Sequence, residues 1–253
     1  ELSQMFPRNP TAPGQTVLEV SNLSAQGVVR DVSFELRAGE ILGLYGLVGA
    51  GCSDLTRALF GVTPISAGEI RVGGQPATIR SPMDACRYGL GYVPEERKSQ
   101  GLLLTMDVKE NITAASLPLF YQFGLLRGDY ERQQAQKWVD RLAIRTPSIN
   151  HLVSGLSGGN QQKVILARWL EAKSKILLLD DPTKGVDVAA KVEIYGLLDR
   201  LCAQGVGIIM ISSELPEILA IADRLFVMAR GRITGQFSRG EATQQLVMER
   251  CCL

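Results

Sequence analysis

The 253-residue sequence predicts an α/β protein: a mainly parallel sheet with an antiparallel β subdomain and a helical insertion. Three observations predict it. Short apolar runs at 41–45, 176–179 and 207–211 alternate with stretches of helical spacing, the order that builds parallel sheets. Period-two alternation marks a second kind of strand on either side of the first run. A stretch near the middle, about 105–155, keeps only helical periodicity.

In chain order, residues 1–15 carry Pro7, Pro10, Pro13 and Gly14 and are expected to be a linker. The remainder, 16–253, is expected to form one domain. Val32, Phe34 and Leu36 alternate with Ser33, Glu35 and Arg37, and Ile70 and Val72 flank Arg71 before Gly73-Gly74. Between them the 41–45 run enters a glycine-rich loop, and a helix follows that Gly61 closes. Ala135, Trp138, Val139 and Leu142 place a helix in the insertion, a helical subdomain of about 105–160. Then come a helix over about 160–172, the 176–179 strand, and a helix with Ile194, Leu197, Leu198 and Leu201 on one face. The 207–211 strand, a further helix, and a hairpin turning at Arg230-Gly231 complete the pattern.

Twenty-seven basic and twenty-six acidic residues leave a net charge of +1, which excludes a chain-wide pull toward nucleic acid. No apolar run approaches the ~20 residues that span a bilayer. The five cysteines are odd in number and show no CxxC spacing, as expected of a reduced intracellular protein. Service to a membrane would therefore come from its side. The chain opens on Glu1 rather than Met, which suggests a piece of a longer protein.

Three motifs carry chemistry. Gly46-Leu47-Val48-Gly49-Ala50-Gly51-Cys52-Ser53 matches the phosphate-binding pattern G-x-x-x-x-G-K-[ST] except at the lysine. Glycines let the backbone turn its amides toward an anion, and Ser53 offers a hydroxyl to Mg²⁺. Cys52 cannot supply the missing positive charge. Asp54 puts a negative one in the first helical turn, where it also simply complements the helix dipole. Second, Leu156-Ser157-Gly158-Gly159-Asn160-Gln161-Gln162 opens a helix whose amides suit a γ-phosphate, although Ser157 alone would equally serve as a cap. Third, an apolar strand ends in Asp180-Asp181. Asp180 is placed to hold Mg²⁺ and Asp181 to polarise an attacking water, although acids at strand ends also cap turns.

In this order and spacing the three motifs resemble the nucleotide-binding domain of ABC transporters, a P-loop NTPase-like fold, from Val17 to about Phe237. The resemblance makes the glycine loop Walker A, LSGG the signature and Asp180-Asp181 the end of Walker B. Gly-Tyr-Val-Pro-Glu at 91–95 and Ile-Ser-Ser-Glu-Leu-Pro-Glu at 211–217 narrow it further. They are similar to the C-terminal half of tandem ATP-binding subunits of bacterial sugar importers of the ribose, arabinose, xylose, galactose or autoinducer-2 type.

Four positions depart from what the resemblance implies for an efficient ATPase. Cys52 stands for the Walker A lysine. Asp181 stands for the Walker B glutamate, its carboxylate drawn back by about 1.5 Å. A misplacement near an ångström costs about 10²-fold in rate. Glu95 stands for the Q-loop glutamine and Ser213 for the switch histidine. The lone histidine, His151, is expected to be a surface or packing residue rather than a reactive one, and the segment 25–29 offers no aromatic to stack on adenine. The signature, Ser157 to Gln161, is intact.

The resemblance implies ATP and Mg²⁺ as ligands and a position on the cytoplasmic face of the inner membrane. It implies three partners: the first-half ATP-binding domain or a second copy, transmembrane permease subunits, and, indirectly, a periplasmic sugar-binding protein. Nucleic acid is not expected among them. The stretch 95–101, with the helical insertion after it, is the expected dock to the permease. The signature is expected to complete the partner half's ATPase site, while the glycine loop forms a weak one and the isolated domain turns over little ATP. A different reading is a non-catalytic clamp that regulates a partner ATPase. A DNA-repair or translation ATPase would bring long coiled-coil insertions or basic arms, which the sequence lacks.

Overall fold

The computed structural model describes residues 14–122 and 125–253. Most of the expected linker lies outside the described residues. Of its last two, Gly14 donates its amide to Ala38 and the Gln15 carbonyl accepts from Ala38, so both already border the first sheet.

That sheet is antiparallel, in the order β2-β1-β4-β5: β1 (Thr16–Ala25), β2 (Val32–Arg37), β4 (Ile65–Val72) and β5 (Gln75–Pro76). β2 alternates as the sequence predicts, with Val32, Phe34 and Leu36 buried. β4 alternates where the sequence predicts it, with Ile70 buried, Arg71 exposed and Val72 partly buried against the core, while its residues 66–69 face solvent.

The larger sheet has six strands in the order β12-β11-β3-β10-β9-β6. β3 (Ile41–Gly46), β10 (Gly207–Ile211), β9 (Ile176–Asp180), β6 (Leu90–Val93) and β11 (Arg224–Ala229) are parallel, and β12 (Arg232–Ser238) adds the antiparallel edge. Strands β9 and β10 are buried at every position, as continuous apolar runs require when both faces are covered. The string 91–95 is divided between a strand and the loop that carries Glu95. Leu90–Val93 is a buried strand alongside β9, and the loop begins only at Pro94. A four-residue run is too short for periodicity to distinguish it from a loop.

Helix α1 (Cys52–Leu59) follows the glycine loop, and α2 (Pro82–Arg87) precedes β6. The middle region holds α3 (Val108–Thr113), begun by a reciprocal Asp107–Glu110 capping box, and α4 (Gly128–Arg141). It also holds a hairpin of two-residue strands, Tyr121–Gln122 with Leu125–Leu126, which the sequence pattern did not indicate. Helix α5 (Gly158–Glu171) packs against both and against β6. Helices α6 (Val188–Ala203) and α7 (Leu215–Ile221) follow β9 and β10. α8 (Gln244–Cys251), not anticipated, covers β11 through Val247 and Cys251. No helix among the described residues is long and apolar enough to cross a membrane.

The consequence for function lies at the ends of the parallel strands. β3, β9 and β10 all finish at one edge, and their last residues, Gly46, Asp180 and Ile211, open directly into the turns that carry the motifs. Ligand sites of open α/β sheets form at such carboxyl ends.

Candidate functional site

At Gly46 the chain has no room for a side chain: a Cβ there would lie 2.6 Å from both the Ala50 Cβ and the Met228 carbonyl oxygen. The turn closes with the Ala50 amide on the Leu47 carbonyl at 2.8 Å. Gly51 takes φ 102° to enter α1, a conformation that other residues rarely adopt, and no side chain caps that helix. The first amides of α1 are therefore available to an anion. Leu47 and Val48 stand exposed at the loop tip, Gly49 turns beside them, and Asp54 sits in the first helical turn.

Cys52 goes the other way. Its side chain is buried in the main core, facing Gly46. Burial pushes its thiol up to about 12, with the Asp180 carboxylate adding to the effect, so it stays neutral. The position that should carry a mobile cation holds a small core residue.

Ser53 and Asp180, separated by 127 positions, meet: the Ser53 hydroxyl donates to Asp180 Oδ1 at 2.9 Å. The Tyr92 hydroxyl donates to Oδ2 at 3.2 Å. Burial pushes the Asp180 carboxyl above its ordinary range, and these two hydroxyls pull it part of the way back. A hydroxyl and a carboxylate side by side make an all-oxygen donor pair, which fits Mg²⁺. Tyr92 also lies against Arg57, and its own hydroxyl is pushed up to about 12 by burial and by Asp180.

Asp181 and Ser213 also meet, the hydroxyl donating to Asp181 Oδ2 at 2.6 Å. Asp181 sits at φ 47°, a left-handed conformation that turns its side chain out of the strand's alternation. Burial pushes its carboxyl up against the pull of Ser213. Glu95 is near enough for its charge to push both aspartates further up, but its own contact is Lys184, at 2.6 Å.

Around the signature the polarity reverses. Ser157 occupies the N-cap of α5 yet makes no cap bond. Its Oγ instead accepts from Asn160 Nδ2 at 2.9 Å, and Asn160 Oδ1 accepts from the Arg145 amide at 2.8 Å. The side chain is exposed and held, with its proton left to donate. Gly158 and Gly159 permit close approach: Cβ atoms there would lie 2.8 Å from the Arg97 guanidinium and 2.6 Å from the Ala190 Cβ. Gln161 departs from its grouping with these residues. It is buried and donates to the Val153 carbonyl at 3.2 Å, so it supports the turn from behind.

Motif reading missed the groups that tie these pieces together. Arg97 donates to the carbonyls of Lys184 (2.5 Å) and Gly185 (3.3 Å), joining the turn after β6 to the turn after β9 beside Gly158. Lys184 returns to Glu95 and Glu96. Buried Glu217 accepts from Thr183 (3.0 Å), Ser212 (3.2 Å) and Tyr195, and pairs with Lys191 at 2.5 Å. Of these, Glu95, Glu96 and Arg97 lie inside 95–101, and Ser212 and Glu217 inside 211–217, strings already singled out, but their contacts leave no mark on the motif pattern. His151 packs beneath Gly155, just ahead of the signature.

Against this geometry stand the similarities to known proteins. The ABC transporter family model matches residues 29–184. The ribose import ATP-binding protein RbsA 1 of Rubrobacter xylanophilus is 49% identical over 249 residues, covering 98% of this chain and 50% of that protein. A putative ribose/galactose/methyl galactoside import ATP-binding protein of Ralstonia nicotianae is 47% identical over 98% of this chain and 48% of its own length. The chain thus spans about half the length of the curated relatives it matches. Among solved structures, a nucleotide-free ATP-binding cassette from an ABC transporter superposes with a TM-score of 0.79 at 22% identity, covering 93% of this chain and 96% of that one. An ATP-binding subunit of an ABC transporter gives 0.74 at 23%, covering 93% and 99%. These likenesses show the fold.

Proposed function

The chain belongs to the ABC transporter family, and from that premise we propose that it is the ATP-binding, energy-coupling second half of a tandem subunit of a bacterial sugar importer. Relatives named for ribose and galactose import support the substrate class. Matches to only half their length support the tandem arrangement. The chain works on the cytoplasmic face of the inner membrane, bound to transmembrane permease subunits through 95–101, with a periplasmic sugar-binding protein upstream. Its direct partner is the first-half ATP-binding domain, or a second copy of the chain.

One observation carries the division of labour. The Ser157 hydroxyl is exposed and aimed by Asn160, whereas Cys52 is buried where a phosphate-neutralising lysine belongs. Ser157, Gly158, Gly159 and Asn160 serve the ATP held by the partner's glycine loop. Residues 46–54 form a weaker site in which Ser53 and Asp180 hold Mg²⁺. The ion would neutralise phosphate charge there. Asp181 accepts a hydrogen bond from the Ser213 hydroxyl, which commits a carboxylate oxygen to a protein group rather than to water.

The test is ATP turnover by the isolated chain. Turnover near background is expected, and vigorous hydrolysis abolished by Asp181→Asn would overturn the reading. The inward thiol also favours a pure clamp that binds no nucleotide. Titration with a non-hydrolysable ATP analogue separates the two: Mg²⁺-dependent micromolar binding supports a retained site, and none supports the clamp.

A further inference from the structure

We propose that the basic groove between α4, α5 and α6 is a binding site for a small soluble phosphate or diphosphate anion. The groove encloses about 220 Å³ and is lined by four cationic side chains, Arg141, Arg145, Lys163 and Arg200. Glu193 is the single carboxylate in that lining. It is shared between two of the cations, Lys163 at 2.7 Å and Arg145 at 2.9 Å. Among the described residues no carboxylate pairs with Arg141 or Arg200, which leaves the groove with uncompensated positive charge.

The site is built rather than scattered. The Lys163 side chain is only 5% exposed, and its ammonium also holds the Ala143 carbonyl at 3.1 Å. That removes a backbone oxygen which would otherwise repel an anion. Arg141 is fixed from two directions: its guanidinium lies 5.0 Å from the Trp138 ring centroid and donates to Gln204 at 2.7 Å. Gly196 keeps the wall open, since a Cβ there would find only the Arg200 guanidinium, 3.7 Å away.

Size and chemistry select the ligand. A volume of 220 Å³ falls below the ~300–1,000 Å³ of sites that enclose drug-sized molecules, so a nucleotide does not fit but a phosphate-bearing group does. Planar guanidinium forks match phosphate oxygens in pairs. None of the lining belongs to residues 46–54, so the site is separate from the glycine loop and rests on no part of the ATP-site reading. It still has a route to the signature. The Arg145 amide holds Asn160, and Asn160 holds the Ser157 hydroxyl, so a ligand that draws Arg145 away from Glu193 is felt two hydrogen bonds later at Ser157.

Calorimetric titration of the chain with pyrophosphate in the absence of Mg²⁺ tests the site. Two charge-assisted contacts are removed in Arg141→Gln/Arg200→Gln, which is expected to weaken binding by about tenfold or more, while the lost contacts to Trp138 and Gln204 lower the thermal midpoint only slightly and leave the chain folded. Val48→Glu adds a negative charge at the exposed tip of the glycine loop and is expected to leave this binding intact. Absence of binding to the parent chain would overturn the proposal. So would equal binding by the double variant, or loss of binding in Val48→Glu alone. In a parallel arm, vesicles containing phosphatidylglycerol that bind the parent but not the double variant, without any pyrophosphate binding, would assign the groove to a lipid headgroup and overturn the soluble ligand.

Discussion

The glycine loop and the signature turn are built alike, each a glycine-rich entry to a helix that lacks a side-chain cap bond. They differ in what their side chains are given to do. At 46–54 every polar group except Asp54 is engaged or turned inward: Ser53 is on Asp180, Cys52 is in the core, and Asp181 nearby holds Ser213. At 157–160 the serine is exposed, and its neighbour spends both ends of an amide to aim it. A phosphate-binding backbone is therefore no measure of a phosphate-processing site. What differs is the residual side-chain valence: the hydroxyl that stays exposed and held is that of Ser157.

Substitutions can break or sharpen this contrast. The largest effect is expected at Glu217, which knots the turns behind Asp181 and Ser213. Glu217→Ala leaves Lys191 without its buried partner and should cost about 3–5 kcal/mol in denaturant unfolding. Burial pushes the Glu217 carboxyl up, but bonds from Lys191, Tyr195 and Thr183 together hold it below the ordinary 4.5. A lowered value in the folded state means stability that is full above pH 4.5 and lost as pH falls through the folded value. The deficit of Glu217→Gln should accordingly be widest near neutrality and shrink in acid. A deficit independent of pH would show that Glu217 does not hold its charge in this knot.

Cys52→Lys sharpens the contrast from the other side. Restoring one charge-assisted contact to phosphate should tighten Mg-ATP binding by about tenfold or more in equilibrium titration. No gain would mean that the backbone, rather than the missing charge, limits the loop. Asn160→Ala releases the Ser157 hydroxyl and removes one hydrogen-bonded anchor, worth about 1 kcal/mol. A rise of a few-fold in the KM for ATP of the two-domain protein is expected. Smallest is Asp54→Asn: losing an acid from the first turn of α1 should cost about 0.5 kcal/mol of stability. It should also modestly strengthen phosphate binding, which unfolding and titration would read separately.

How much of this was legible beforehand follows a physical line. Continuous apolar runs announced β3, β9 and β10 because strands covered on both faces need no alternation. β6 is not announced because four residues carry no period, and α8 is not because Val247 and Cys251 alone bury it. The expectation that Ser53 and Asp180 each hold Mg²⁺ implies that they are neighbours, and the two side chains meet. The inward turn of Cys52, the hold of Tyr92 on Asp180, and the bridge from Arg97 to Lys184 and Gly185 were not legible. Each depends on a side-chain direction or a partner about 90 positions away, and neither leaves a mark on local pattern. Asn160 was read as part of the signature, but its task of aiming Ser157 is visible only in the geometry.

The central claim, that this chain contributes its signature rather than its glycine loop to turnover, is tested most directly in the two-domain protein. Steady-state ATP hydrolysis would be compared for Ser157→Arg and Asp181→Asn. Loss of a positioned donor at charged phosphate oxygens is expected to lower the first by about 100-fold. The second should stay within about twofold of the parent, since Asp181 already spends its carboxylate on Ser213. A protein indifferent to Ser157→Arg but silenced by Asp181→Asn would contradict the account.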